Sequence, residues 1–325
     1  MVSVLMCIYK EPLEWINDAI NSILNQTFSD FEFIIVNDNP DDIELCEFLI
    51  QKASSDSRIK IYPNKKNIGL TKSLNIGLGY CLGKYVARMD ADDISLQMRF
   101  KHQVEYLESS PHCGIVGCWV KSFGYKSEVA KFFQKDEDLK AFQFFHSPFD
   151  HPATMMRMST LVANGISYDE SLKYAQDQKL WAQLSKVCEF HNIPEILFLH
   201  RFNEQHVSKV HKNEQIKNVK DTRRSMVYDY LAENNILNFN HKEADLNSII
   251  SIYKRINSDV MSKSDSKKLS RVIMTLLLSI KNPSIGTYIR FISSGIYLNY
   301  GWSIKEFIRF FMYHINPAKF PYLGI

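Results

Sequence analysis

The sequence predicts an α/β fold in which helices cover a mainly parallel sheet, followed by a helical extension at the carboxyl end. In the amino-terminal third, short apolar runs rich in β-branched residues alternate with segments whose apolar residues recur at helical spacing. Polar residues, several of them aspartates, follow the apolar runs directly. Strands that alternate with helices form parallel sheets, which bind ligands beyond the carboxyl ends of their strands.

The amino-terminal elements follow one another in a regular order. The apolar run Val2–Ile8 predicts a strand, and Pro12 opens a helical pattern that continues to Leu24. Further strands are predicted at 31–36, 59–62 and 85–89, and further helices at 41–54, 70–82 and 96–107. This alternation indicates a parallel sheet with helices on its faces.

The pattern changes in the rest of the chain. We expect a strand at 115–119, a mixed signal through 120–170, a helix at about 171–187 and strands within 189–201. From about residue 212 onward the pattern is helical only. We therefore place a domain boundary near residue 210, with an α/β domain at 1–210 and a helical region at 211–325.

Composition narrows the class of protein. A chain of 325 residues, 45% of them hydrophobic, has enough apolar surface for a full core, and its net charge of +3 argues against a nucleic-acid partner. The six cysteines are scattered without a CxxC pair, which favours buried free thiols in a reducing compartment. No signal-peptide pattern opens the chain, and no apolar stretch reaches the roughly 18 residues of a membrane span, so we expect a cytoplasmic protein.

Three carboxylates, Asp90, Asp92 and Asp93, directly follow the predicted strand at 85–89. Crowding three anions at a strand end is costly unless a cation lies among them, and Mg²⁺ and Mn²⁺ prefer oxygen ligands of this kind. An ion held there favours a phosphate ligand. The alternative is an ordinary acidic loop in solvent.

Two other strand ends carry groups suited to a ligand, at Cys7–Tyr9 and at Asp38. The Asp38 carboxylate either accepts a hydrogen bond from a planar N–H donor such as a nucleobase or caps the following helix. The stretch Asn67–Thr71 contains a glycine turn that either lets the backbone approach a ligand or simply precedes a helix. Neither GxGxxG nor GxxxxGK[ST] occurs, which excludes a dinucleotide-binding Rossmann unit and a P-loop.

Asp177 lies in the first turn of the predicted helix at 171–187, where the helix dipole keeps a carboxylate ionised. It is therefore either a general base or a stabiliser of the helix start. Further candidates for phosphate or metal contacts are His151, His200 with Arg201, and His206. For an isolated histidine a structural role is the alternative.

Together these segments resemble a known family. The segments 2–9, 35–38, 67–70, 85–93 and 176–181 occur in the order and spacing of the inverting family 2 glycosyltransferases, which have the GT-A fold. The resemblance covers roughly residues 1–210. It implies a catalytic domain that uses a nucleotide-diphosphate-sugar donor, usually a UDP-sugar, with Mn²⁺ or Mg²⁺ as cofactor.

The resemblance also implies roles for individual residues. Asp38 is expected on the uracil and Asp90 near the ribose, Asp92 on the metal that holds the diphosphate, and Asp177 as the general base. The expected donor site comprises Cys7, Tyr9, Glu11, Asp38, Asn67, Lys72, Arg88, Asp90, Ala91 and Asp92, and the expected metal ligands are Asp92, Asp90 and His206. A single displacement inverts the anomeric carbon, so an α-linked donor gives a β-linked product.

The sequence departs from the family at three places. Asn37–Pro40 stands where the family often has Asp-Asp-Gly-Ser, and Gln176 takes the first place of the usual Glu-Asp pair. His200–Asn203 replaces the usual Tyr-Arg-x-His. A histidine contact to metal or phosphate therefore falls to His206 or is absent.

The carboxyl-terminal part suggests where the acceptor lies. The stretch 285–322 is rich in aromatic residues with interspersed Lys and Arg, and a helix at Ile304–Tyr313 suits the interface of an anionic membrane. The alternative is that these helices pack on one another. In the first case the enzyme associates peripherally with the inner face of the cytoplasmic membrane, and the acceptor is a polyprenyl-diphosphate-linked saccharide of O-antigen or capsule assembly.

We therefore expect an inverting glycosyltransferase that moves one sugar, glucose or galactose, from a UDP-sugar to a lipid-linked saccharide. One alternative is a sugar-nucleotide pyrophosphorylase, but residues 9–14 lack the Gly-rich, basic loop expected after its first strand. The other is a sugar-nucleotide-binding scaffold without catalysis, which predicts donor binding without turnover.

Overall fold

The computed structural model describes residues 1–202, 212–236, 246–256, 268–269, 271–273 and 275–276. The chain divides into two compact units. The first comprises Met1–Asp136 and Pro148–Lys212, and the second comprises Glu137–Ser147 with the described residues from Asn213 onward. The domain boundary near residue 210 stays a prediction, and the structure adds that 137–147 belongs to the second unit.

The first unit contains the strand–helix alternation that the sequence predicts. Four strands, β1 (Val2–Ile8), β2 (Phe31–Asn37), β3 (Ile59–Pro63) and β4 (Tyr85–Asp90), alternate with α1 (Leu13–Leu24), α2 (Ile43–Ser55), α3 (Leu70–Tyr80) and α4 (Arg99–Ser109). All eight predicted elements are confirmed. The last helix begins later than predicted because β5 (Ile94–Ser95) and a turn at 97–98 precede it, and the Leu96 N–H donates to the Leu197 carbonyl at 3.0 Å.

The later elements are shorter and more varied. They are β5 (Ile94–Ser95), β6 (Cys113–Gly124), β7 (Val129–Ala130), α5 (Asp136–Phe142), a 3₁₀ turn (His151–Ala153), β8 (Met155–Arg157), α6 (Met158–Ala163), α7 (Gln176–Leu184) and β9 (Glu189–Phe202). The strand at 115–119 is confirmed within β6, and the predicted strands at 189–201 form the single strand β9. Only 176–184 of the helix predicted at 171–187 is helical, because Ala175 takes a left-handed φ of 58° at its start.

In the described part of the chain, nine strands form one sheet in the order β3-β2-β1-β4-β8-β6-β9-β5, with β7 paired to β6. Strands β3, β2, β1 and β4 are parallel, as are β6 and β9. The short strand β8 joins the two groups by antiparallel pairing with β4 and β6. The predicted α/β class with a mainly parallel, helix-covered sheet is confirmed.

The register of the parallel strands brings three predicted ligand-facing ends together. Cys7 on β1 pairs with Val36 on β2 and with Asp90 on β4. Asp38 follows β2 directly, and its N–H donates to the Ile8 carbonyl at 2.8 Å. Every residue of β1 and β2 is buried, so these ends project from strands that are buried on both faces of the sheet.

The second unit contains α8 (Lys212–Glu233) and α9 (Leu246–Ile256). Within it, the Phe144 ring lies edge-on to Tyr230 at 6.3 Å, and the Thr275 hydroxyl donates to the Phe144 carbonyl at 3.3 Å. No helix in the described ranges combines the length and hydropathy that a membrane span requires. The predicted interfacial helix at 304–313 lies outside the described residues.

Candidate active site

The centre of the site is the acidic cluster at the end of β4. One carboxylate oxygen each of Asp90, Asp92 and Asp93 lies within 4.8 Å of the others. Burial, together with the charges of Asp90 and Glu11, raises the pKa of Asp92 to about 7. Burial also raises the pKa of Asp93 well above its usual range, and the Oδ2 atom of Asp93 is buried without a hydrogen bond. Three crowded carboxylates with an unsatisfied oxygen fit a divalent cation with oxygen ligands.

Arg88 and His200 lie beside this cluster. Arg88, 0% exposed, pairs through Nη2 with an oxygen of Asp90, and although burial opposes ionisation this keeps the pKa of Asp90 below its usual range. His200 Nδ1 lies 3.3 Å from Asp150 Oδ2 and 4.0 Å from Asp93 Oδ2. Burial disfavours a charged imidazole, but Asp150 and the neighbouring carboxylates outweigh it and raise the pKa of His200 to about 10. Among the described residues, these two side chains leave Asp93 Oδ2 without a hydrogen bond.

Arg201 fixes the loop that carries the cluster. Its N–H donates to Asp93 Oδ1 at 2.7 Å, and its Nε donates to the Asp92 carbonyl at 2.7 Å. Its Nη2 reaches Asp18 on α1 at 3.1 Å, and the guanidinium lies 5.0 Å from the Trp15 ring centroid. The predicted contact of Arg201 with phosphate or metal stays a prediction, and in the structure Arg201 bonds to the acidic loop and to α1.

Asp38 has a different environment from the cluster, since protein donors saturate it. Oδ1 accepts from Asn64 Nδ2 at 2.7 Å and from the Ile68 N–H at 2.9 Å. Oδ2 accepts from Asn67 Nδ2 at 3.1 Å and from the Gly69 N–H at 2.9 Å. The carboxylate therefore holds the turn before α3, whose Gly69 has a left-handed φ of +89°.

The alternative prediction, that Asp38 caps the next helix, is wrong. The N-cap of α2 is Asp42, whose Oδ1 accepts from the Leu45 N–H at 3.0 Å. Asp38 lies four residues earlier and bonds to the turn at 64–69. An N-cap must lie directly before the first helical turn, and Asp42 meets that condition.

Asp177 lies in the first turn of α7. Burial raises the pKa of its carboxyl to about 6, although its own N–H and that of Gln178 oppose the shift. The negative charge of Asp150 adds to the rise. Asp150 therefore lies within electrostatic reach of Asp177 and beside His200, which connects the start of α7 to the acidic cluster.

Of the other predicted site residues, four lie at or just after the ends of β1 and β4, namely Cys7, Tyr9, Glu11 and Ala91. Cys7 and Ala91 are buried, at 7% and 2% exposure. The Tyr9 N–H donates to Glu11 Oε2 at 2.8 Å, and burial raises the pKa of Glu11. Lys72 is an exposed residue of α3, and His206 lies outside the described residues.

The sequence reasoning missed Asp150 and Tyr168. Asp150 precedes the 3₁₀ turn, and Tyr168 lies in the irregular segment between α6 and α7. Neither belongs to a periodic pattern or follows a predicted strand. The neighbouring His151 was predicted only as a candidate for phosphate or metal contacts.

Comparison with known proteins decides the family. A model described as glycosyl transferase family 2 matches residues 3–164. An uncharacterized glycosyltransferase of Haemophilus influenzae is 31% identical over 307 residues, which cover 90% of this chain and 90% of that protein. The chain belongs to glycosyl transferase family 2. The predicted family is thereby confirmed, and the acidic cluster lies inside the matched range.

Other relatives and structures extend this result. The Escherichia coli UDP-Gal:alpha-D-GlcNAc-diphosphoundecaprenol beta-1,3-galactosyltransferase is 31% identical over 209 residues, covering 62% of this chain and 74% of that glycosyltransferase. The crystal structure of S. aureus TarS 1-349 in complex with UDP-GlcNAc superposes with a TM-score of 0.57 at 17% identity, covering 84% of this chain and 89% of that chain. At this identity the likeness shows the GT-A fold alone.

Proposed function

We propose that this glycosyltransferase moves a single sugar from a UDP-sugar to a polyprenyl-diphosphate-linked saccharide, with inversion and with a divalent cation. The observation that carries the proposal is the pairing of a crowded acidic cluster, Asp90 to Asp93, with the partly buried carboxylate of Asp177, whose pKa is raised. The first suits a cation and a diphosphate, and the second suits a base. Both belong to the first compact unit.

We assign the donor to the carboxyl ends of β1, β2 and β4. Asp90 and Asp92 would hold Mn²⁺ or Mg²⁺, with Asp93 in the same cluster, and the bound ion would neutralise charge on the leaving diphosphate. The predicted third ligand, His206, lies outside the described residues. Asp90, kept ionised by Arg88, has its other oxygen to offer to a ribose hydroxyl.

We assign the nucleobase to the turn before α3. Asp38 and Asn67 face each other there, and the two backbone N–H groups bound by Asp38 fix the turn that the base would contact. A base N–H that reaches Asp38 shares an oxygen with one of these protein donors. Around this turn and the acidic cluster, the remaining predicted donor contacts are Cys7, Tyr9, Glu11, Lys72, Arg88 and Ala91.

We assign the general base to Asp177. The acceptor hydroxyl oxygen bonds to the anomeric carbon while the bond from that carbon to the diphosphate oxygen breaks. The hydroxyl proton passes to the Asp177 carboxylate, and UDP leaves. A pKa of about 6 leaves the carboxylate mostly ionised at neutral pH yet more basic than an ordinary aspartate, which suits this role. Attack opposite the leaving group converts an α-linked donor to a β-linked product.

The choice of acceptor rests on the relatives. The Escherichia coli relative is named for transferring galactose to GlcNAc-diphosphoundecaprenol in a β-1,3 linkage. We propose the same class of acceptor here, with glucose or galactose as the sugar, in surface polysaccharide assembly. A lipid-linked acceptor also favours peripheral contact with the inner face of the membrane through the aromatic and basic stretch 285–322, which flotation with anionic liposomes at low salt tests.

The experiment is release of UDP from a panel of UDP-sugars, with Mn²⁺ or with EDTA, in the presence of a synthetic GlcNAc-diphosphate-lipid. The wild-type protein is compared with Asp92→Ala and Asp177→Asn. We expect metal-dependent release from one donor, abolished by Asp92→Ala and reduced on the order of 10²–10⁴-fold by Asp177→Asn. Donor binding without turnover on any acceptor would instead identify a non-catalytic scaffold.

A further inference from the structure

Tyr168 is held at both ends, although it lies in a segment without regular secondary structure. Its N–H donates to Asn75 Oδ1 at 3.0 Å, and its carbonyl accepts from Asn75 Nδ2 at 2.9 Å. The Asn75 amide on α3 thus pairs with the Tyr168 backbone as a neighbouring strand would. At the other end the Tyr168 hydroxyl lies 2.7 Å from His151 Nε2. The side chain between them is 2% exposed.

His151 connects this tyrosine to the helix that carries Asp177. Its ring lies edge-on to Trp181, with the centroids 5.7 Å apart, and edge-on to the Tyr168 ring at 5.5 Å. Trp181 is 0% exposed and lies one turn after Asp177 on α7, so the two side chains share a helix face. A shift of Tyr168 would therefore displace the start of α7.

Tyr168 also lies within electrostatic reach of Asp177 and of the Arg88–Asp90 pair. Burial raises the pKa of its hydroxyl, Arg88 opposes that rise, and the charges of Asp177 and Asp90 add to it. Burial and the charge of Arg88 lower the pKa of His151 to about 3, so the imidazole is neutral. The Tyr168–His151 pair is thus uncharged, and Tyr168 lies within electrostatic reach of both Asp90 and Asp177.

The segment that follows Tyr168 is fastened to α3 as well. The Thr71 hydroxyl donates to the Leu172 carbonyl at 2.7 Å, and Asn75 Nδ2 also reaches Glu170 Oε1 at 3.0 Å. The chain then enters α7 through Ala175, whose left-handed φ of 58° is uncommon for a residue with a side chain. The start of α7 is therefore placed by tertiary bonds upstream of it.

We propose that Tyr168 is a positioning residue, which, clamped by Asn75 and His151, sets the place of the Asp177 carboxylate relative to the Arg88–Asp90 pair. The inference rests on the proposed function, because it takes Asp177 as the base and Asp90 as a donor contact. It predicts that loosening Tyr168 impairs transfer to the acceptor more than it impairs donor binding.

The test compares Tyr168→Phe and Asn75→Leu with Tyr85→Phe. Tyr85 is equally buried on β4, and its hydroxyl accepts a bond from Arg157 at 3.3 Å, so its loss controls for removing a buried hydroxyl. For each protein we would measure the Kd for UDP by calorimetry, kcat for transfer, and the ratio of sugar transfer to donor hydrolysis by water.

We expect Tyr168→Phe and Asn75→Leu to lower kcat at least tenfold and to lower the transfer-to-hydrolysis ratio, with the Kd for UDP within twofold of wild type. His151→Phe combined with Tyr168→Phe should cost little more than either change alone. Tyr85→Phe should leave kcat, Kd and the ratio unchanged.

A purely structural role would lower the melting temperature and leave the transfer-to-hydrolysis ratio at the wild-type value. That result in both Tyr168→Phe and Asn75→Leu would overturn the inference. An inactive wild-type protein would instead contradict the proposed function, so the two failures are distinguishable.

Discussion

Two buried carboxylates at the same edge of the sheet differ in how many protein hydrogen bonds stabilise them. Asp38, 3% exposed, accepts hydrogen bonds from two asparagine amides and two backbone N–H groups. Asp93, 1% exposed, accepts one bond at Oδ1 and leaves Oδ2 buried without a hydrogen bond. In the described part of the chain, protein donors occupy both oxygens of Asp38, whereas one oxygen of Asp93 has no donor.

This difference separates a carboxylate that protein donors hold in place from carboxylates whose charge favours a bound cation. Neutral donors stabilise a buried anion at the cost of fixing the surrounding backbone, as the turn at 64–69 illustrates. The buried carboxylates of the acidic cluster instead destabilise the folded protein until a cation binds among them. Substitutions at the two sites should therefore have opposite effects on stability and on activity.

The largest expected effect follows from replacing Asp92 by Asn. Removing a ligand of the proposed cation should lower kcat on the order of 10³-fold, because a bound metal ion contributes several kcal/mol to the transition state. In EDTA the same variant should melt at or above the wild-type temperature, because one of three crowded anions has been removed. Activity assays, Mn²⁺ calorimetry and thermal unfolding would check this, and a lower melting temperature in EDTA would contradict it.

Replacing Asp38 by Ala should have the reverse signature, a large loss of stability. Four donors lose their acceptor, and those that stay buried are left unsatisfied, so the free energy of unfolding should fall by roughly 3 kcal/mol. Asp42→Ala is a matched control in the same loop. It removes only an N-cap, for which about 1 kcal/mol is expected. Equal losses in urea denaturation would show that Asp38 does not hold the turn.

The acidic cluster should also make the stability of the protein depend on pH. The pKa of Asp92 is raised to about 7 in the folded protein, so above its ordinary value of 3.8 the folded state binds more protons than the unfolded state. Stability from this group is therefore present at low pH and is lost as the pH rises through about 7. Relative to Asp92→Asn, the wild type in EDTA should lose melting temperature between about pH 5 and 7.5.

Saturating Mn²⁺ should cancel that loss, because binding to the folded state alone stabilises it by mass action. The measurement is differential scanning fluorimetry of both proteins across this range, with and without the ion. A constant difference between wild type and Asp92→Asn would show that the Asp92 carboxyl is not perturbed by its neighbours.

The smallest expected effects on stability come from replacing the two asparagines that donate to Asp38. Asn64 is 7% exposed and bonds to both Asp38 and Ser73, so Asn64→Ala should cost about 1.5 kcal/mol. Asn67 is exposed, and its bond to Asp38 is longer at 3.1 Å, so Asn67→Ala should cost less than about 0.5 kcal/mol of stability. A larger loss of stability for Asn67→Ala than for Asn64→Ala would show that the exposed asparagine holds Asp38 more strongly than the buried one.

The sequence was sufficient for the first half of the fold and for the acidic cluster. The strands β1 and β2 are buried along their whole length, and such strands appear as continuous apolar runs. Because parallel strands end at one edge of the sheet, the sequence alone predicts that the residues following them lie near each other. Asp38, Asp90 and Asp92 were found in this way.

The tertiary structure decided how those residues are used and which others join them. That Asp38 is saturated depends on Asn64 and Gly69, which lie far along the chain and carry no periodic signal. Tyr168 and Asp150 lie in short or irregular segments, where local pattern is weak and position follows from contacts with distant residues. The sequence determined the strand ends because local apolar runs encode them; hydrogen bonds and charges between residues distant in sequence form only when the chain is folded, and these decided the environment of each carboxylate.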